Sequence, residues 1–309
     1  MRIFVTGASG WVGSAVVPEL ISAGHEVTGL ARSDASAEAL TAAGAQVHRG
    51  SLDDTASLRS GAAAADGVIH LAFKHDFGDF AGSAATDLSA VETMGAALEG
   101  SGRPLVITSG TLMLTMIAPG RLGTEADVPG PEAAHLPRVA SESAVIALAG
   151  RGVRTSVVRL APTVHARGDG GFVPRLIDIA RAKGVAAYVG DGASRWPAVH
   201  RLDAANLFRL GLEKAPAGSV LHGAGEEGVP FRDIAAAIGR HLDVPVVSIS
   251  PEEAEAHFGF LAAFVPLDNP TSSAKTQELL GWRPTHPTLL ADLDEGFYFG
   301  AGAGSKYSD

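Results

Sequence analysis

Short apolar runs alternate with longer amphipathic stretches through the first half of the chain. Arg2 to Thr6 (RIFVT) has the continuous apolar character of a buried strand. The stretch from Gly10 to Ala23 follows with helical spacing, and Gly24 supplies a C-terminal stop. The same alternation then repeats. Strands are predicted at Glu26 to Ala31, Gln46 to Arg49, Gly67 to Ala72, Pro104 to Thr108 and Thr155 to Leu160. Helices are predicted at Ala35 to Ala43, Thr55 to Ala63, Leu88 to Leu98 and Arg138 to Ala149. Strands separated by helices pair in parallel, because a parallel connection needs a crossover. Right-handed crossovers place helices on both faces, so the pattern predicts an α/β fold with a doubly wound parallel sheet.

After about residue 165 the rhythm changes. Gly168, Gly170 and Gly171 mark a loop, and strand-like pieces appear at Ala186–Val189, Ala198–His200, Val220–His222 and Val246–Ile249. Helical pieces lie at Phe172–Lys183, Asp203–Glu213 and Phe231–Leu242. The expected organisation is a first domain over 1–165, with a return segment near 196–215, and a smaller substrate-binding cap over 166–309. The Gly-rich tail, GAGAGSKYSD, reads as frayed.

Composition narrows the partners. The chain has 309 residues, 46% hydrophobic and 19% charged, an ordinary globular balance. Its net charge of -10 leaves no electrostatic footprint for nucleic acid, so none is expected as a partner. Cysteine is absent, which removes disulfides, thiolate metal sites and cysteine nucleophiles. MRIFVTGASG has no signal-peptide apolar core, and no apolar run is long enough to span a bilayer. A cytoplasmic protein without membrane contact is the expectation.

The most informative segment is Gly7-Ala8-Ser9-Gly10-Trp11-Val12-Gly13, directly after the first strand. Phosphate binding needs backbone N–H groups that can be approached closely, and the following helix offers its N-terminal dipole. A glycine loop between a strand and a helix, with a parallel-sheet pattern behind it, marks a dinucleotide site on a Rossmann-type sheet. An NAD site usually carries Asp or Glu at the end of the second strand. This chain has Arg32 and Ser33 there. The Arg32 fork and the Ser33 hydroxyl and N–H suit a 2'-phosphate, which favours NADP(H). NAD(H) stays open, because Asp34 is near enough to serve the ribose.

With these residues in view, the chain resembles the extended short-chain dehydrogenases/reductases, which include NAD(P)-dependent epimerases and dehydratases. Residues 7–13 resemble that family's phosphate loop, and Gly50-Ser51-Leu52-Asp53 its adenine-contacting turn. His70-Leu71-Ala72, with Phe73 next, resembles the segment passing the cofactor ribose. Val106 to Thr111 resembles the strand with the catalytic Ser or Thr, which puts Thr108 beside the cofactor and makes Ser109 or Thr111 the hydroxyl. Arg159-Leu160-Ala161-Pro162 is similar to the segment along the nicotinamide. Ser273-Ala274-Lys275 through Pro284 resembles the closing helix and turn. The resemblance implies a Tyr-x-x-x-Lys pair before the sixth strand, but the matching positions hold Arg138 and Glu142. Arginine stays charged and is a poor proton donor, yet it can stabilise a developing alkoxide. Glu142 can orient Arg138 or act as an acid. The alternative is a surface ion pair worth about 0.3–0.5 kcal/mol.

Lys74, His75 and Asp76 follow the fourth strand, where they either face the same crevice, with Lys74 on the substrate, or form a solvated loop. His165 and the loop Gly168-Asp169-Gly170-Gly171 either cover the nicotinamide or form only a turn. Tyr188, Arg195, Trp196 and His200 are candidates to shape a substrate pocket, Tyr188 also as a substitute acid. No His/Asp/Glu grouping has metal-ligand spacing, so no metal is expected. Three functions remain: an NADP(H)-dependent oxidoreductase acting on a small-molecule carbonyl, a nucleotide-sugar epimerase or dehydratase with tightly held cofactor, and a non-catalytic NADP(H) sensor. The resemblance implies a homodimer, and small residues on helices 88–98 and 138–149 suit helix packing between subunits.

Overall fold

A computed structural model describes residues 1–300 except 77, 131, 132, 134, 135 and 137. Residues 301–309 of the tail lie outside the described residues.

The first half follows the sequence pattern closely. In order come β1 (Arg2–Thr6), α1 (Gly13–Ser22), β2 (Glu26–Ala31), α2 (Asp34–Ala42), β3 (Gln46–Arg49), α3 (Thr55–Ala64), β4 (Gly67–His70), α4 (Phe80–Leu98) and β5 (Pro104–Gly110). A one-turn α5 (Leu114–Ile117), α6 (Val139–Ala149) and β6 (Arg154–Leu160) follow. Helix α4 starts eight residues before its expected beginning. The early turns, FAGSAATD, carry no apolar periodicity, and the Asp79 side chain caps them by accepting from Gly82 N at 2.9 Å.

The second half contains β7 (Thr163–His165), α7 (Phe172–Lys183), β8 (Ala186–Val189), β9 (Arg195–His200), α8 (Arg201–Lys214), β10 (Ser219–Gly223) and β11 (Glu226–Pro230). It ends with α9 (Phe231–Leu242), β12 (Val246–Ile249), α10 (Ala254–Phe258), α11 (Ala274–Leu280) and α12 (Leu289–Asp294). Among the described residues the main sheet has seven strands in the order β10-β6-β5-β4-β1-β2-β3, with every pair parallel. The return to this sheet is made by α8 and β10, a little beyond the expected 196–215. Two small sheets lie outside it, β11-β9-β7 and β12-β8.

Three apolar clusters hold these layers together. One lies between the sheet and α1 and α8, and takes in Leu280 and Trp282 from the closing segment. A second fills the opposite face, under α3, α4 and α6. The third is the core of the cap, around Trp196, Phe231 and Phe258. No helix among the described residues is long and apolar enough to cross a membrane.

Candidate active site

The glycine loop closes on itself by Gly10 N donating to Gly7 O at 2.9 Å. Each glycine has its own reason. Gly7 has φ +65°, and a Cβ there would lie 2.6 Å from Ala72 N, so it keeps β1 against the segment after β4. A Cβ on Gly13 would lie 2.1 Å from Gly7 O, so this glycine lets α1 start tightly under the loop. Gly10 is exposed, and a Cβ there would meet nothing nearer than Gly7 O at 3.1 Å. The space over Gly10 therefore opens outward, at the start of α1. Ser9 is exposed beside it, and Val12 caps α1. This is the cradle a pyrophosphate needs, so the residues present fit a dinucleotide. Trp11 braces the loop. Its indole N–H donates to Val164 O at 2.8 Å, and the Arg201 guanidinium sits 4.2 Å over its ring.

At the end of β2, Ser33 caps α2 by accepting from Ser36 N at 3.2 Å. Its hydroxyl is thus engaged locally. Asp34, the ribose alternative, is held by Arg49 at 2.6 Å. Arg32 is exposed, with no hydrogen bond or ion pair among the described residues. Leu52, Leu71, Ala72, Phe73 and Pro162 are half-buried along the crevice at the carboxyl ends of the strands. Lys74 reaches back to Asp53 at 2.6 Å and so bridges the turns after β3 and β4.

Arg138 is the unusual residue. It is the N-cap of α6, with φ 74° and ψ -23°, a left-handed conformation that costs a non-glycine residue about 1–2 kcal/mol. Its guanidinium holds that geometry from three sides. It donates to Thr108 O, lies 4.3 Å over the Phe73 ring, and stands 3.7 Å from the Asp87 carboxylate. Asp87 is buried in α4 and accepts from His70 Nε2 at 3.1 Å, while His70 Nδ1 accepts from Thr6 Oγ1 at 2.6 Å. A buried chain thus runs from β1 through β4 and α4 to α6. Burial by itself would raise the Asp87 carboxyl. The His70 hydrogen bond and the Arg138 charge outweigh it and hold the group below the ordinary carboxylate range. Burial lowers Arg138 from its ordinary value, against the opposing charges of Asp87 and Glu142. Burial and the Arg138 charge push His75 down, so its imidazole favours the neutral form.

Ser109 is buried, and its hydroxyl has no hydrogen-bond partner among the described residues. Thr111 is fully buried and accepts from Asn269 Nδ2 at 3.1 Å. The Asn269 Oδ1 beside it has no partner.

Other expected residues lie elsewhere. Glu142 does not reach back to Arg138. It is fully buried and binds Arg159 of β6 through contacts of 2.8, 3.1 and 3.2 Å. Glu142 N still donates to Arg138 O at 3.0 Å, so the helical spacing is kept, but the two side chains take different partners, Arg159 and Asp87. Trp196 packs in the cap core, 5.1 Å from Phe231 and 5.9 Å from Phe172 between ring centres, and offers no face to a ligand. His165 is buried and tied to Asp292 at 2.7 Å. Tyr188 lies half-buried on β8, against Gly192. Of the loop after β7, Asp169 is half-buried, accepting from Gly171 N at 2.7 Å and from Tyr298 Oη at 3.1 Å. Burial pushes its carboxyl up to about 6. His70, Asp87 and Asn269 were not legible as site residues, because strand, helix and a distant crossing segment contribute one each.

The family model for the NAD dependent epimerase/dehydratase family matches residues 3–222, and the chain belongs to that family. It is 52% identical to an uncharacterised protein of Schizosaccharomyces pombe, over 97% of this chain and 100% of that one. A second uncharacterised protein, from Saccharomyces cerevisiae, is 47% identical over 95% of this chain and 98% of its own length. A Stigmatella aurantiaca protein named as a ketoreductase of a farnesylated dihydroquinoline oxide is 29% identical, over 71% of this chain and 67% of that one. Among solved structures, the Thermotoga maritima UDP-glucose 4-epimerase with UDP-glucose superposes with a TM-score of 0.76 at 19% identity, covering 97% of this chain and 98% of that one.

Proposed function

We propose that the chain is an NADP(H)-dependent oxidoreductase that reduces a carbonyl, or a related group, of a small molecule. The observation that carries this reading is Arg138. A charged guanidinium is held in a strained backbone turn, anchored on Thr108 O, Phe73 and Asp87, at the position where the family resemblance implies a proton-donating Tyr.

When bound, the reduced dinucleotide supplies a hydride to the carbonyl carbon. The chain's own contribution is electrostatic. Arg138 keeps N–H groups beyond those it spends, and these stabilise negative charge building on the substrate oxygen. The Ser109 hydroxyl, without a partner among the described residues, is the second donor. Because the guanidinium holds its own proton, the proton that completes the alcohol comes from water. Glu142 has no part in this, since Arg159 takes it.

Arg32 supports NADP(H) over NAD(H). At the end of β2 it has no hydrogen bond or ion pair among the described residues, and the nearby carboxylate, Asp34, is paired with Arg49. The similarity to a named ketoreductase agrees with carbonyl reduction. A homodimer through α4 and α6 completes the proposal. Their exposed positions are rich in small residues, Ala81, Ala85, Ser89 and Ala96 around Glu92 on one helix and Ala140, Ser143 and Ala147 on the other.

The test is NADPH oxidation across ketones, aldehydes and keto-sugars. Turnover with NADPH consumed is expected. Tight NADPH binding with no turnover on any of them overturns the reading in favour of a sensor. Turnover of a nucleotide sugar with no net cofactor consumption overturns it in favour of an epimerase or dehydratase.

A further inference from the structure

A second group of side chains lies apart from the glycine loop and Arg138, at the seam between the cap and the closing segment. His200 ends β9, Asp203 lies in the first turn of α8, and His286 belongs to the turn after Trp282. One ligand atom from each lies within 4.8 Å of the others. The sequence spacing hides this arrangement, because His286 is remote from the other two and only the fold brings it back.

We propose that His200, Asp203 and His286 form a binding site for a borderline divalent transition-metal ion such as Zn²⁺. The donor set is chemically suited, since imidazole with carboxylate selects this class of ion over Mg²⁺ or Ca²⁺. The atoms have capacity left. Asp203 Oδ1 accepts from Thr285 N at 3.1 Å and faces His286 Nδ1 at 2.8 Å, but Oδ2 accepts only from His286 N at 3.1 Å. One carboxylate oxygen therefore keeps a free lone pair. His200 Nδ1 accepts from Leu202 N at 3.2 Å, and its Nε2 is 3.9 Å from Asp292, outside hydrogen-bond range. His286 has no hydrogen bond at Nε2 among the described residues. The two ring centres lie 4.7 Å apart with 7° between their planes.

His286 Nδ1 is 2.8 Å from Asp203 Oδ1, so a shared ion takes the place of the proton between them. Next to His200 lies His165. Its Nδ1 is 2.7 Å from Asp292, while its buried Nε2 has no hydrogen-bond partner. The ring centres of His165 and His200 are 5.4 Å apart. His286 is the exposed member, with its side chain 38% accessible, and gives the ion a path from solvent. A bound ion would clip the closing turn to the start of α8, where Trp282 Nε1 already donates to Asp203 O at 3.0 Å.

The experiment uses tag-free full-length protein stripped with a chelator, with Zn²⁺ followed by calorimetry and thermal unfolding and Co²⁺ by its visible absorption. One Zn²⁺ per chain, a raised unfolding temperature and Co²⁺ bands of a nitrogen-containing low-coordinate site are expected. His286→Ala removes an exposed ligand, and the variant's own metal-free unfolding temperature is the baseline for its Zn²⁺-induced shift. It weakens Zn²⁺ binding by more than the roughly 10–100-fold typical of losing an outer-shell partner. Absence of stoichiometric binding, or equal affinity in the wild type and His286→Ala, overturns the proposal. His165→Gln is the companion variant, and retained binding in it confirms that His165 lies outside the ligand set.

Discussion

Arg159 and Glu142 form an ion pair that is closed off from solvent, with the guanidinium of β6 gripping both carboxylate oxygens of α6. Arg159 also donates to Asp127 O at 2.9 Å and lies 3.5 Å from His222 Nε2. The pair therefore fastens α6, whose first residue follows Arg138, to the sheet. Removing one partner leaves a buried charge with no partner. Glu142→Ala should lower folding stability by about 3–5 kcal/mol in urea denaturation. The double variant Glu142→Met with Arg159→Met should recover much of that loss, since two matched apolar side chains avoid the stranded charge. Equal loss in the two variants would show that the pair's charge balance is not what matters.

Arg138 can be separated from its backbone. Because its φ is 74°, glycine fits the turn at least as well, so Arg138→Gly keeps α6 capped while deleting the guanidinium. Once a substrate is in hand, kcat should fall by about 10²–10³, the typical cost of removing one donor from a developing oxyanion. NADPH affinity should stay near the wild-type value. If kcat is kept, Arg138 has only a structural role.

Cofactor choice rests on Arg32. Arg32→Ala removes a charged donor from the 2'-phosphate position and should weaken NADPH binding by about 1–2 kcal/mol, roughly five- to thirtyfold, because the side chain is exposed and partly screened. NADH binding should change little. Fluorescence titration with both nucleotides measures the ratio. An unchanged ratio would remove the basis for NADP(H) preference.

The sequence and the fold agree best where one physical signal is sufficient. The parallel sheet was legible because each strand is a short apolar run and each connection is long enough for a helix. The glycine loop was legible because a single contiguous segment does the whole task. Pairings between remote elements were not. Glu142 sits four residues after Arg138 and keeps the backbone bond of that spacing, but its carboxylate is taken by Arg159. Trp196 looked available among polar neighbours, yet strand alternation turns it into the cap core with Phe172 and Phe231. Thr6, His70 and Asp87 come from three elements, and no spacing rule connects them.

Asp169 gives a pH-dependent prediction. It is half-buried under the last turn of the described chain, with Tyr298 donating to one oxygen and Gly171 N to the other. Burial outweighs those bonds and raises its carboxyl from 3.8 to about 6. The folded chain therefore holds a proton there that the unfolded chain has already lost. The stabilisation is present in full below the unfolded value and is lost as pH rises through the folded one, so stability should fall between about pH 4 and pH 6 and then level off. Asp169→Asn is uncharged throughout and still accepts one hydrogen bond. Urea midpoints across that range should decline less in Asp169→Asn than in the wild type, and at neutral pH the variant should be the more stable chain. Parallel pH curves for the two proteins would mean that the carboxyl is already ionised at low pH, with Tyr298 and Gly171 compensating for its burial.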